Sequence, residues 1–502
     1  MARGASRVRS SWWAAPGCDG HDASSNGSTG DPSMSADRTC GDPRLLKSPH
    51  NGRIAKTGCP DRMQQDRLND RANGLRAAAA DFLYLQFSAT DAFRRMQGDL
   101  LASLGFGPVE SGYRVVASGL YWRLRDYGST RPSRSVLIVA APIKRPYIWD
   151  LTPAVSAIRY CLGAGQRVYL LEWLPASGET CRVGIAECGD AISASLATIE
   201  PDAEGGKPIL IGHSLGGTLA AIYAATSPGS IDGLVLLSSP LCFRANESAF
   251  RDALVSLVPA PVSDSDPYPG SILSQASAAA SPLTFIWSRL SDAMLSAGDG
   301  HALDIHARIE RWALDEAALP GKLVREIVDT LYRENQFCRG ILKVGEMTIG
   351  PSNLSIPILA VVNTADAVAP LVSLTPIREV VGPGILRIVE YAGEAGVCLQ
   401  HLGILVGRQA FARIWPQIVS WIRAQGSDAS AGQRPRPTGS MSGSMYENSD
   451  PIADQAACHD DDRGEANMLD QFRCDAGTPI PGDEIGEANE QDRTPRKTGK
   501  NR

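Results

Sequence analysis

Six consecutive residues, Gly212-His213-Ser214-Leu215-Gly216-Gly217, carry the spacing of a G-x-S-x-G nucleophile turn. A strand-like run over 208–211 precedes them, and a helix-like run with small residues at Ala220 and Ala221 follows. In that setting a strand bends so sharply into a helix that a side chain at Gly212 or Gly216 would collide with neighbouring backbone. The serine is lifted above the sheet in a strained conformation, at a helix N-terminus whose amides favour developing negative charge. The chemistry that suits such a serine is acyl transfer through a covalent ester intermediate. His213 adjoins it, but its ring is expected to point away, as packing or as a pocket wall.

A serine hydroxyl is a weak nucleophile until an imidazole accepts its proton. For this turn the partners follow in the chain order Ser, Asp or Glu, His. His21, His50 and His459 lie in or beside the composition-biased ends, and His301 and His306 precede the last strands. His401, in Val397-Cys398-Leu399-Gln400-His401-Leu402-Gly403, comes after the final strand and is the expected base. The acid belongs just past the strand over 357–362, where Asn363-Thr364-Ala365-Asp366-Ala367-Val368-Ala369-Pro370 supplies Asp366, with Glu394 as the rival. Two backbone donors must face the oxyanion. One is the amide of Leu215, and the other is expected after the strand over 135–140, near Ile143 or Lys144.

The elements that position these residues alternate. Strand-like runs occur at 113–117, 135–140, 167–172, 208–211, 233–237, 357–362 and 385–391, with amphipathic segments between several of them, such as 155–163 and 215–225. Near-continuous apolar strands joined by helices indicate an α/β chain whose mostly parallel sheet is covered by helices on both faces. About 120 residues separate the fifth and sixth of these strands, where a crossover needs only a dozen or so. The excess reads as an inserted, mainly helical cap or lid over 245–345, with helix-like pieces at 285–294, 306–314 and 321–332.

At 502 residues, and about 150 residues per domain, the length allows two or three domains. The 43% hydrophobic content rules out a wholly disordered chain. Residues 1–74 read as a disordered extension and 426–502 as a disordered tail, leaving 75–425 as the catalytic body. The tail holds 15 Asp and Glu against 9 Lys and Arg, so it carries the whole net charge of −6 and the rest is balanced. A neutral body has no broad basic face, which argues against nucleic acid as a partner. The longest apolar run is about eight residues, short of the roughly 18 that span a bilayer, so no transmembrane segment is expected. No charged n-region followed by an apolar h-region opens the sequence, so no secretory signal is read. The eleven cysteines are scattered and show no zinc spacing, which suggests a reduced, cytoplasmic chain with no metal and no bound cofactor.

Several segments carry a resemblance. Val136-Leu137-Ile138-Val139-Ala140-Ala141-Pro142-Ile143-Lys144-Arg145-Pro146-Tyr147-Ile148-Trp149-Asp150-Leu151-Thr152-Pro153 resembles the oxyanion-loop segment of polyhydroxyalkanoate synthases, where a strand enters a Pro-containing turn followed by Tyr-Ile-x-Asp-Leu-x-Pro. Arg159-Tyr160 and Gly165-Gln166-Arg167-Val168-Tyr169-Leu170-Leu171-Glu172-Trp173 continue it. So do Trp312, Leu319-Pro320-Gly321, Leu331-Tyr332-Arg333-Glu334-Asn335 and Gly340. The likeness covers about residues 80–425. It implies an α/β-hydrolase fold with a mobile cap, a nucleophile–Asp–His triad, acyl transfer on 3-hydroxyacyl substrates, and frequently a homodimer. Ser214 falls at the nucleophile position, Asp366 at the acid, His401 at the base and Ile143 in the oxyanion loop.

The departure from that family is at its centre. Synthases carry cysteine in the box, and this chain has Ser214. An acyl-cysteine thioester passes its acyl group downhill to an alcohol, whereas an acyl-serine ester is nearly isoenergetic with the polymer bond. Water then becomes a competitive acceptor. The sequence therefore favours an esterase, thioesterase or depolymerase-like hydrolase acting on hydroxyacyl esters or thioesters, with acyl-CoA as a substrate handle. The alternatives are a working synthase of 3-hydroxyacyl-CoA and a non-catalytic scaffold associated with storage granules.

Overall fold

The computed structural model describes Arg71, Gly74, Phe82 and residues 85–128, 134–199, 206–257, 264, 266–382 and 384–425. The two ends expected to be disordered lie outside the described residues, except that Arg71 and Gly74 are helical. All described residues belong to one unit, Met1–Ala431.

Eight strands form one sheet: β1 (Arg114–Ser118), β2 (Trp122–Asp126), β3 (Arg134–Val139), β4 (Gln166–Trp173), β5 (Ile209–His213), β6 (Gly233–Leu237), β7 (Ile358–Asn363) and β8 (Leu386–Tyr391). Their order across the sheet is β1-β2-β4-β3-β5-β6-β7-β8. From β4 to β8 every neighbouring pair is parallel, while β1 with β2 and β2 with β4 are antiparallel. This is the expected mostly parallel sheet, with β2 added as an element that the apolar pattern did not mark.

Both faces are covered, and the strands show why. Along β3, Leu137 and Val139 enter one apolar cluster while Val136 and Ile138 enter the other. β4, β6 and β7 alternate in the same way, so the middle of each strand is apolar and buried on both faces. One face packs α2 (Ile185–Thr198) and α3 (Leu215–Thr226), through residues such as Ile192 and Leu219. The other packs α1 (Ala157–Gly163) and the C-terminal helix Trp415–Ala424, through Ile158, Trp415 and Ile418. The segment read as helical over 155–163 begins instead with a two-residue strand, Val155–Ser156, because Ser156 caps α1 by accepting the Arg159 amide at 2.9 Å.

Between β6 and β7 the chain leaves the sheet and forms α4 (Ala249–Leu257), α5 (Ser271–Ala280), α6 (Ser288–Ser296), α7 (Gly300–Ala313) and α8 (Gly321–Arg325), the last continued by a π-helical stretch, Glu326–Arg333. The ends of this excursion are joined covalently. Cys242 and Cys338, 96 residues apart, form a disulfide. This corrects the expectation of a wholly reduced chain: two cysteines distant in sequence are brought within bonding distance where the insertion leaves and rejoins the body. Among the described residues no helix is long and apolar enough to cross a membrane.

Candidate active site

The turn between β5 and α3 has the geometry its glycines imply. Ser214 sits at φ 54° and ψ −131°, a backbone conformation uncommon for a residue with a side chain. A Cβ on Gly212 would lie 2.4 Å from the Cα of Gly217, and one on Gly216 would lie 2.3 Å from the carbonyl oxygen of Val139. Gly217 is a third obligatory glycine, since a Cβ there would lie 2.0 Å from the Ser239 hydroxyl. The sequence held that signal in its doubled glycine, but the contact partner is contributed by the loop after β6. Leu215 is the first residue of α3, so its amide has no acceptor within the helix.

His401 and Asp366 are brought together. His401 Nδ1 lies 2.7 Å from Asp366 Oδ2, with both residues buried. The other carboxylate oxygen accepts the amides of Val368 at 2.8 Å and Ala369 at 3.2 Å. Burial pushes the Asp366 carboxyl up, yet His401 and these amides outweigh it and hold it below the usual carboxylate range. With its Nδ1 proton directed at the carboxylate, a neutral His401 ring keeps Nε2 as its acceptor. Glu394, the rival acid, is engaged elsewhere. It accepts the hydroxyl of Tyr391 and the amides of Gln409 and Ala410, at the start of the next helical segment.

The loop bearing His401 is braced from β7. Asn363, the last residue of that strand, donates Nδ2 to the carbonyl of Gln400 at 2.7 Å and accepts the amide of Ala365 at 2.9 Å. Nothing local marks this role, because an asparagine after a strand reads as a turn former. His213 also does more than pack. Its Nε2–H donates to the carbonyl of His401 at 2.8 Å, and its ring lies 4.7 Å from the His401 ring.

Burial, followed by the nearby His401, lowers the His213 imidazole to about 3. The unfolded chain therefore takes up this proton below about 6.5, while the folded chain refuses it down to about 3. The sign follows: stability falls as the pH drops through that window, by up to about 1.4 kcal/mol per pH unit from this group. Urea unfolding between pH 4.5 and 7 is expected to show a shallower pH slope for His213→Gln, which keeps an N–H donor. Equal slopes for variant and wild type would refute the assignment.

Ser214, Leu215, His401 and Ile143 line one cavity of about 380 Å³, along with insertion residues such as Phe250, Phe285 and Trp312. Its wall is largely apolar. The cations along it are neutralised by carboxylates. Lys144 Nζ and Arg94 Nε contact the two oxygens of Glu316 at 2.7 and 2.8 Å. A backbone bridge between Lys144 and Glu316 ties the loop after β3 to the insertion, and Ile143 packs on a small cluster of Leu319, Val324 and Val328. Of the two candidate oxyanion-loop residues, Ile143 thus presents an apolar side chain to the insertion, and Lys144 spends its ammonium on Glu316.

Donor atoms of His306, Glu310 and Cys398 also converge, within 4.8 Å of one another. Arg289 already contacts both Glu310 oxygens, and the Cys398 thiol donates to Glu310 at 3.2 Å. Glu310 is thus satisfied by Arg289 and Cys398, while His306 Nδ1 lies 3.3 Å from Asp292 Oδ2.

Residues 158–299 match the family model of the alpha/beta hydrolase fold. The chain is 23% identical over 300 residues to the poly(3-hydroxyalkanoate) polymerase subunit PhaC of Haloarcula marismortui, covering 58% of this chain and 62% of that one. It is 25% identical over 328 residues to the protein of the same name from Synechocystis sp., covering 64% and 85%. The chain therefore spans under two thirds of the length of the first of these relatives. The solved structure of a monoacylglycerol lipase from Paleococcus ferrophilus aligns with a TM-score of 0.38 at 19% identity, covering 61% of this chain and 100% of that one.

Proposed function

The chain is polyhydroxyalkanoate synthase-like and has the α/β-hydrolase fold, and from that premise we propose a serine acyl-enzyme hydrolase or acyltransferase acting on hydroxyacyl esters or thioesters. The observation that carries this reading is the strained Ser214 on the same cavity wall as the hydrogen-bonded His401–Asp366 pair.

In the proposed cycle Ser214 Oγ attacks the substrate carbonyl carbon while His401 Nε2 takes the hydroxyl proton. Asp366 fixes the imidazole tautomer and stabilises the imidazolium. The amide of Leu215 and the loop at Ile143 receive the oxyanion. Collapse breaks the carbonyl–oxygen or carbonyl–sulfur bond, and His401 returns the proton to the leaving alkoxide or thiolate. The acyl-serine ester then passes to water, activated by His401, which releases the hydroxy acid and restores Ser214. The cycle needs no resident metal or cofactor, and CoA enters only as a leaving group. Homodimerisation, storage-granule association and a cytoplasmic setting are proposed on the family likeness alone.

A second reading is favoured by the polymerase names of the relatives. In it a chain-end alcohol replaces water as acceptor, and the product is polymer. Incubation with 3-hydroxybutyryl-CoA separates the two. Free 3-hydroxybutyrate is the expected main product of wild type, and Ser214→Cys is expected to raise the ratio of polymer to acid, because its thioester intermediate drives transfer to an alcohol. Insoluble polymer as the main wild-type product would transfer the conclusion to the second reading.

A further inference from the structure

Asp292 lies on α6 of the insertion, yet its carboxylate serves a distant loop. It is buried at 7% exposure. Oδ1 accepts the amide of Gly396 at 2.6 Å, and Oδ2 accepts the amide of Cys398 at 2.7 Å. Oδ2 also lies 3.3 Å from Nδ1 of His306 on α7, which binds the two insertion helices into one support. Both amides belong to the segment that ends in His401. That segment is bent in a way that needs outside support, with positive φ at Gly396 (84°) and at Cys398 (63°). A cysteine with such a backbone persists only where its surroundings impose it. Cys398 is held a second time, through its thiol, by Glu310 on α7. On the body side the support is Asn363, bonded to the carbonyl of Gln400.

Hydrogen bonds from amides to a buried carboxylate are among the stronger ones, and an unseated α6 would leave two amides without their acceptor. The insertion and the histidine loop are thus held as one unit on this side. A further tie is the Cys242–Cys338 disulfide, which joins the two ends of the insertion.

We infer that Asp292 is a positioning residue through which the insertion sets the loop bearing His401, so that seating of α6 and assembly of the proton-transfer pair are one event. The inference rests on the proposed role of His401 and adds a residue more than 100 positions upstream of it. It makes the cap part of the catalytic arrangement as well as a cover for the cavity.

The test pairs kinetics with hydrogen exchange on the full-length chain. Asp292→Asn keeps the side-chain size and one acceptor but removes the charge. With 4-nitrophenyl butyrate it is expected to lower kcat by roughly tenfold to a hundredfold, with KM within about twofold, because it displaces a proton acceptor and leaves the acyl pocket as it was. Amides of residues 396–401 are expected to exchange roughly tenfold faster, and those of α3 at the wild-type rate. Asp292→Glu, which keeps the charge and moves the oxygens, is expected to fall between the two, and it carries the comparison if Asp292→Asn does not fold. An unchanged kcat, unchanged loop exchange, or equal acceleration in α3 would overturn the inference. If wild type itself neither turns over the ester nor reacts at Ser214, the functional reading fails, while the exchange arm still decides whether Asp292 holds the loop.

Discussion

Asp366→Asn is expected to lower kcat on an activated ester by roughly 10⁴-fold with little loss of stability. The reason is the direction of one proton. Asp366 Oδ2 faces His401 Nδ1 at 2.7 Å and accepts its N–H. An asparagine that keeps its carbonyl on the amides of Val368 and Ala369 turns its NH₂ toward the ring. Nδ1 must then be the acceptor, so the ring proton moves to Nε2 and the base function is lost. Retention of those two backbone bonds is why the fold is expected to survive, with a melting temperature within a few degrees of wild type. Burst and steady-state kinetics alongside thermal unfolding check both halves. A variant of wild-type kcat would remove Asp366 from the mechanism.

Gly216→Ala is expected to have the largest effect on stability, about 3 kcal/mol or more. The added methyl meets the carbonyl oxygen of Val139 at 2.3 Å and the carbonyl carbon of Ala140 at 2.8 Å. Both belong to backbone at the end of β3, a central strand hydrogen-bonded on both sides, so neither can swing away as a side chain would. Gly189→Ala is the matched control. It lies within α2, where an added Cβ meets nothing within 4 Å, and the change is expected to stabilise by roughly 0.5–1 kcal/mol through helix propensity. Urea midpoints for the two variants are expected to move in opposite directions. A Gly216→Ala chain as stable as wild type would mean that the close approach of α3 to β3 is not required.

The parts of this molecule that were legible in its sequence are those whose cause is local. The nucleophile turn is written in consecutive residues, since its glycines exist to let α3 approach β3. The parallel strands were legible because burial on both faces leaves apolar runs. β2 was not, for the opposite reason. Arg123 and Arg125 sit on it to meet Glu172 of β4, so charges interrupt the pattern of a strand near the sheet edge. Asp366 and His401 were read from chain order, with Glu394 as the rival acid, and only the packing reveals that Glu394 is occupied by backbone amides. The Cys242–Cys338 bond, the Asn363 brace and the Asp292 support each join residues far apart in the chain. No periodicity encodes such pairings, and an aspartate on a helix looks like an ordinary solvated residue until the loop that it holds is seen.

The reactivity of one hydroxyl is what the rest depends on. Incubating the folded full-length chain with a fluorophosphonate and mapping the adduct by peptide mass tests it directly. Expected are a single adduct on Ser214 in wild type, none in Ser214→Ala, and labelling slowed by roughly a thousandfold or more in His401→Ala. A folded wild-type chain that stays unlabelled, or one that labels as fast without His401 as with it, would contradict an imidazole-activated serine at this site.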